Sequence, residues 1–293
     1  MSELHEIALQ ILSKGKGILA ADESTATMTK RLDSVNVVSD ENNRLLFRQT
    51  LFSSSSMKDC IGGVILYDET IRQKTSNGKT IPELIHSSGS LTGIKVDTGA
   101  KILAGSKDEK VTEGLDGLRE RLKDYYKLGA RFTKWRGVYS ISDKYPSNLS
   151  ISANAHALAR YAALVQEAGM VPIIEPEVLM NGNHSAKDCL NKTSEVIKKC
   201  YEELELNNVD LKGTILKPNM ILPGENSNEK ISNEEIAELT LDCLKNNVPT
   251  SVPGIAFLSG GQSEIEATAN LNQINVKNNT DFIMTYSYGR ALQ

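Results

Sequence analysis

Aromatic side chains make up only 5% of the 293 residues, with a single tryptophan, so the chain has few of the stacking platforms that bind single-stranded nucleic acid. An excess of one charge is missing too. The 33 Lys and Arg against 37 Asp and Glu leave a formal net charge of −4, which removes a generally basic surface for nucleic acid or anionic membrane and makes any anion site a local one. The four cysteines, Cys60, Cys189, Cys200 and Cys243, form no C-x-x-C pair, and a chain this long buries a core without cross-links, so reduced thiols in a cytoplasm fit best. The four histidines, His5, His86, His156 and His184, stand singly, without H-x-H or H-E-x-x-H spacing, which points away from a protein-held catalytic zinc. No stretch approaches the roughly 20 apolar residues of a membrane span. The start, MSELHEIALQILSKGKG, reads as an amphipathic helix without the basic region, apolar run and cleavage site of a signal peptide.

Short apolar runs are plentiful. GILAADE (17–23), GGVILYDE (62–69), GIKVD (93–97), ARFTKWR (130–136), VPIIEPE (171–177), KGTILKPN (212–219), PGIAFLSG (253–260) and FIMTYSYG (282–289) are each bounded by turn residues. Between them lie segments with helical apolar spacing, clearest at 113–129, 152–169, 189–204 and 233–247. Crossovers of this size force the strands to run parallel, and near-continuous apolar character says that both faces are covered. Eight such units predict one (β/α)8 TIM barrel in the α/β class, forming a single domain over 1–293. No G-x-G-x-x-G follows the first strand, which counts against an open dinucleotide-binding sheet. Pro223–Ser232 and Lys74–Thr80 read as exposed turns rather than linkers.

In such a barrel the active site forms at the C-terminal ends of the strands. Those ends carry Asp22, then Lys95 with Asp97, Lys134 with Arg136, Glu175 with Glu177, Lys217, Ser259, and Ser287 with Arg290. Period-two alternation puts each pair on one side of its strand. A single charge of this kind reads equally as a solvated rim residue, but three lysines, two glutamates and an aspartate converging on one pocket would each lose water and demand a partner.

That set suits imine chemistry without a metal. An amine lowered in pKa by partial burial and nearby cations attacks carbonyls, and the resulting iminium is an electron sink for breaking a carbon–carbon bond, with carboxylates moving the protons. Lys217, the lone charge ending an apolar run, is the best nucleophile candidate, and Lys134 is its neighbouring cation. Phosphate is predicted separately. Ser259, Gly260 and Gly261 sit where the seventh strand turns into a helix, and Tyr288-Gly289-Arg290 follows the eighth; loops after these strands are the usual phosphate cradle of the barrel, with Arg290 supplying a bidentate charge.

Together GILAADES (17–24), GIKVD, TKWR (133–136), EPE (175–177), LKPNM (216–220), FLSGGQSE (257–264) and SYGRALQ (287–293) resemble the class I, Schiff-base-forming fructose-bisphosphate aldolases over nearly the whole chain. The resemblance implies a glycolytic lyase that reversibly cleaves fructose 1,6-bisphosphate to dihydroxyacetone phosphate and glyceraldehyde 3-phosphate, needing no cofactor, in a cytoplasmic homotetramer. It implies that Lys217 forms the Schiff base, that Glu175 is the main proton donor and acceptor, and that Asp22 deprotonates the C4 hydroxyl, with Lys134 and Glu177 in support. Ser259, Gly260, Gly261, Ser287, Gly289 and Arg290 would hold the phosphate of the ketose half, with Arg31 also reaching a phosphate. Ser24, Thr27 and Lys95 would face the other phosphate. Arg136 and Lys30 are placed at the same mouth, and Arg44 reads equally as a ligand and as a solvated helix charge.

Two departures from the family pattern bear on these expectations. Ala26 and Thr27 stand where Gly and Ser are more usual, which keeps a hydroxyl. Family members usually continue into a last barrel helix and often a tail ending in tyrosine, whereas this sequence stops at Gln293; the expectation is a barrel without that helix, with apolar strand and helix surface left open. The alternatives are another Schiff-base aldolase or transaldolase, or a scaffold without turnover. Two phosphate sites flanking Lys217 favour a bisphosphate over the first, and the complete set of pocket charges argues against the second.

Overall fold

The protein is described by a computed structural model over Ser2–Gln293. The chain begins with α1 (Glu3–Ile11) and enters β1 (Gly17–Ala21), after which α2 (Thr25–Asp33), α3 (Glu41–Phe52) and the single turn α4 (Met57–Cys60) lead to β2 (Ile61–Leu66). Then come α5 (Asp68–Arg72), α6 (Ile81–His86), β3 (Leu91–Lys95), the short strands β4 (Gly99–Ile102) and β5 (Lys110–Glu113), and α7 (Leu118–Lys127). The remaining units are β6 (Ala130–Tyr139), α8 (Asn148–Glu167), β7 (Val171–Val178), α9 (Ala186–Leu206), β8 (Ile215–Leu216), α10 (Asn233–Asn247), β9 (Gly254–Phe257), α11 (Glu264–Lys277) and β10 (Ile283–Tyr288). Parallel pairing closes β1, β2, β3, β6, β7, β8, β9 and β10 into a barrel, with β10 returning to β1. All eight apolar runs of the sequence are barrel strands.

Alternation sorts each strand into two cores. Leu19, Val64, Ile94, Trp135, Ile174 and Phe257 face the helices, whereas Ile18, Ile65, Phe132, Ile173 and Ile215 fill the interior. The Phe132 ring occupies space left by glycines on the adjacent strands: a Cβ on Gly93 would stand 2.3 Å from the ring, and one on Gly63 2.8 Å. The amphipathic α1 turns its apolar face to this same interior. Its Ile7, Ala8 and Ile11, with Leu12, join Ile18 and Ile215 in one buried cluster and stop the N-terminal end of the barrel.

Serine caps start the helices that follow the strands. Ser185 with Asp188, Ser232 with Glu235 and Ser263 with Glu266 form reciprocal capping boxes, and each satisfies backbone N–H groups that the first turn leaves without partners.

The structure corrects two expectations. The segment 113–129 is helical only from Leu118, because Lys110–Glu113 pairs antiparallel with Gly99–Ile102 as a hairpin beside the barrel. In the run 212–219 only Ile215 and Leu216 are regular strand, although the Lys217 N–H still donates to the Ile174 carbonyl at 2.7 Å. The surface of β10 is partly covered, while Val35 and Val38 after α2 and Ile265 and Val276 on α11 stay exposed. Met284 and Tyr288 are buried, and the Tyr286 and Tyr288 rings lie 5.3 Å apart along one face of the strand, with their hydroxyls donating to the Cys60 and Ala267 carbonyls.

Candidate active site

Strand register builds the site. Ile173 and Ile174 pair with Ile215 and Leu216, so the next residues, Glu175 and Lys217, meet at the same level. Lys95 and Lys134 are cross-strand partners, as are Arg136 and Glu175. Continuing inward from Ile18 and Ala20, the alternation of β1 delivers Asp22 to the same layer.

The central residues form one chain of charge. Lys217 Nζ is 2.9 Å from Glu175 Oε1, Lys134 Nζ is 3.3 Å from Glu175 Oε2 and 2.7 Å from Asp22 Oδ2. Lys217 and Lys134 are each 4% exposed and Glu175 3%. Burial alone would push the Asp22 carboxyl up, but Lys134 and then Lys217 outweigh it and hold it at about 2. Burial likewise acts upward on Glu175, and the same two ammonium groups, with Arg136, bring it below its ordinary value. For Lys134 burial acts downward and is overcome by Asp22, Glu175 and Asp97, so this lysine stays protonated. The free site therefore holds two ionised carboxylates between lysines, one of which is a fixed cation.

Around this centre lies a cleft of about 330 Å³. Six cations and five carboxylates line it in a chain of net charge −4, and most are paired with one another. Arg136 Nε donates to Glu177, Arg31 sits on Glu23, and Lys95 is 3.5 Å from Asp97. Arg290 is exposed and makes no ion pair among the described residues. Gly289, Ser287, Ser259 and Gly260 line the wall near it. Ser24 and Thr27 lie at the N-terminal end of α2, where Ser24 Oγ caps the helix and is 3.2 Å from Thr27 Oγ1. Hydroxyls and free backbone N–H groups at a helix start suit a phosphate.

Asp22, Ser24, Thr27, Arg31, Lys95, Lys134, Arg136, Glu175, Glu177, Lys217, Ser259, Gly260, Ser287, Gly289 and Arg290 all line this cleft. Gly261 does not. Its φ is +77°, and a Cβ there would meet Met180 at 2.9 Å, outside the cleft. Lys30 is exposed outside the cleft. Arg44 is occupied elsewhere, donating to both Glu69 oxygens at 2.9 and 2.6 Å and to the Ser39 carbonyl at 2.8 Å. Two neighbours were not singled out in the sequence, Glu23 in the cleft and Arg48 behind it. For Arg48 a signal existed, an arginine four residues before Phe52 on the buried face of α3.

A family model for class-I fructose-bisphosphate aldolase matches residues 3–293. The chain belongs to the class-I fructose-bisphosphate aldolase family. It is 52% identical over 293 residues to fructose-bisphosphate aldolase C of Mus musculus, covering 99% of this chain and 81% of that one. To fructose-bisphosphate aldolase 4, cytosolic, of Arabidopsis thaliana it is 50% identical over 292 residues, covering 99% of this chain and 74% of the relative. Among solved structures, Plasmodium falciparum fructose-bisphosphate aldolase, in complex with TRAP and a small-molecule inhibitor, superposes with a TM-score of 0.97 at 44% identity, covering 99% of this chain and 84% of that chain. This class of aldolase works through a lysine Schiff base. Among the described residues no group of three or more His, Cys, Asp or Glu is placed to hold a metal ion, and no helix is long and apolar enough to cross a membrane.

Proposed function

We propose that this chain cleaves fructose 1,6-bisphosphate reversibly into dihydroxyacetone phosphate and glyceraldehyde 3-phosphate, with Lys217 as the nucleophile. The observation that carries the assignment is the buried Lys217 ammonium resting 2.9 Å from the ionised Glu175. Glu175 takes a proton from Lys217, and the neutral amine adds to the C2 carbonyl. The same carboxyl returns the proton to the carbinolamine oxygen, which leaves as water and gives the iminium. Asp22 then accepts the C4 hydroxyl proton. The C3–C4 bond breaks, its electron pair moves onto the iminium as an enamine, and the aldehyde half departs. Protonation at C3 and addition of water release the second product.

Lys134 stays charged throughout and keeps both carboxylates in place, while Glu177 steadies Arg136. Arg290, Ser287, Ser259, Gly260, Gly289 and Arg31 hold the phosphate of the ketose half; Ser24, Thr27 and Lys95 meet the other. The reading extends to a cytoplasmic location, in keeping with the cytosolic plant relative, and to a homotetramer, which light scattering of the purified chain tests.

Borohydride reduction in the presence of dihydroxyacetone phosphate is the direct experiment. A stable adduct mapped to Lys217 is expected, lost in Lys217→Met and unaffected by EDTA. A folded protein that gives no adduct, or one whose turnover vanishes with chelator and returns with zinc, refutes the assignment.

A further inference from the structure

Arg48 lies on α3 behind the cleft and is 1% exposed. A guanidinium so buried needs partners for its charge and its donors, and most of those it has belong to Glu23. Nη2 donates to the Glu23 carbonyl at 2.7 Å and lies 3.4 Å from Glu23 Oε2, while Nη1 donates to Thr70 Oγ1 on α5. The other oxygen of that carboxylate, Glu23 Oε1, takes Nη1 of Arg31 at 2.5 Å. One carboxylate thus bridges two guanidinium groups, one sealed inside and one facing the cleft. One turn earlier on the same helix, Arg44 grips Glu69 with two hydrogen bonds and fastens α3 to α5, which keeps Arg48 against Glu23.

We propose that Arg48 is a positioning residue for the substrate phosphate, acting through Glu23 to aim the guanidinium of Arg31 into the cleft. The proposal rests on the reading of Arg31 as a phosphate ligand. An unshared carboxylate beside an arginine closes onto it as a bidentate pair and fills the fork that a phosphate would use. With Oε2 committed to Arg48, Glu23 offers Arg31 a single oxygen. Arg31 uses only Nη1 within the protein, toward Glu23 and Gln293, and no hydrogen bond takes its Nε or Nη2 among the described residues.

A double-mutant cycle in steady-state kinetics with fructose 1,6-bisphosphate tests this on the full chain. Arg48→Lys keeps the charge but loses the fork, and is expected to raise KM about 10-fold, the size of one charge-assisted hydrogen bond, with kcat changed about twofold at most. In an Arg31→Ala background the same substitution should add nothing, because the residue it acts through is gone. Glu23→Gln should behave in the same way and carries the cycle if Arg48→Lys does not fold. Multiplicative effects of Arg48→Lys and Arg31→Ala on KM, or a fall in kcat at constant KM, overturn the proposal alone. An unchanged KM in Arg31→Ala removes the phosphate reading of Arg31, and the proposal falls with it.

Discussion

Replacing Asp22 by Asn tests whether the central charges act as charges. Asn keeps the shape and can still accept from Lys134 through its amide oxygen, so the substitution removes mainly the negative charge. The Asp22 carboxyl is held at about 2 in the folded chain against an ordinary 3.8. That lowering, at roughly 1.4 kcal/mol per pH unit, stabilises the fold by about 2 kcal/mol wherever the group is ionised in both states. Because the folded value is depressed, the contribution is complete above the unfolded value and is lost as pH falls through about 2. Urea unfolding of wild type and Asp22→Asn should therefore differ by about 2 kcal/mol at pH 7 and by about 1 kcal/mol at pH 3. A gap that stays constant or widens toward acid would show that the loss is one of packing, and the account of the Lys134–Asp22 pair would be refuted.

Glu175→Gln is expected to abolish turnover while still allowing slow borohydride trapping at Lys217, since the nucleophile stays but its proton acceptor is gone; trapping and turnover lost in equal measure would contradict the division of roles. Gly93→Ala should destabilise the fold by about 1–3 kcal/mol in thermal or urea unfolding, because its Cβ would stand 2.3 Å from the Phe132 ring and force the ring to move beneath Lys134. A neutral effect would show that the interior can yield there.

The strands and their mouth were legible because each strand carries its own apolar run, and β3, β6 and β7 end in charges two apart. Lys134 with Arg136 and Glu175 with Glu177 could share a face only if their strands were regular up to the rim, and they are. The β4–β5 hairpin gave no such signal. Its first strand is largely exposed, so backbone pairing rather than an apolar face defines it. For Arg48 the spacing to Phe52 signalled a buried position on α3 but not its partner. What makes a buried arginine tolerable is Glu23, some 25 residues away in the sequence, and no local pattern reports a partner brought by the fold. For Gly261 the sequence showed a glycine pair but not which backbone N–H groups face the cleft. In the fold Gly260 lines the cleft, and Gly261 lies outside it beside Met180. Likewise the apolar face of α1 was visible in the sequence while its position under the barrel was not.

That helix gives the barrel a single door. With Ile7, Ile11 and Leu12 buried in one cluster with Ile18 and Ile215, packed side chains fill the floor beneath Lys217. On the assignment proposed above, the traffic of the reaction would be ordered by depth: the half attached to Lys217 would stay innermost, and the free aldehyde would leave ahead of it. The water expelled when the imine forms faces the same one-way geometry. It would slip out past the sugar or stay beside Glu175, within reach for the hydrolysis that ends the cycle.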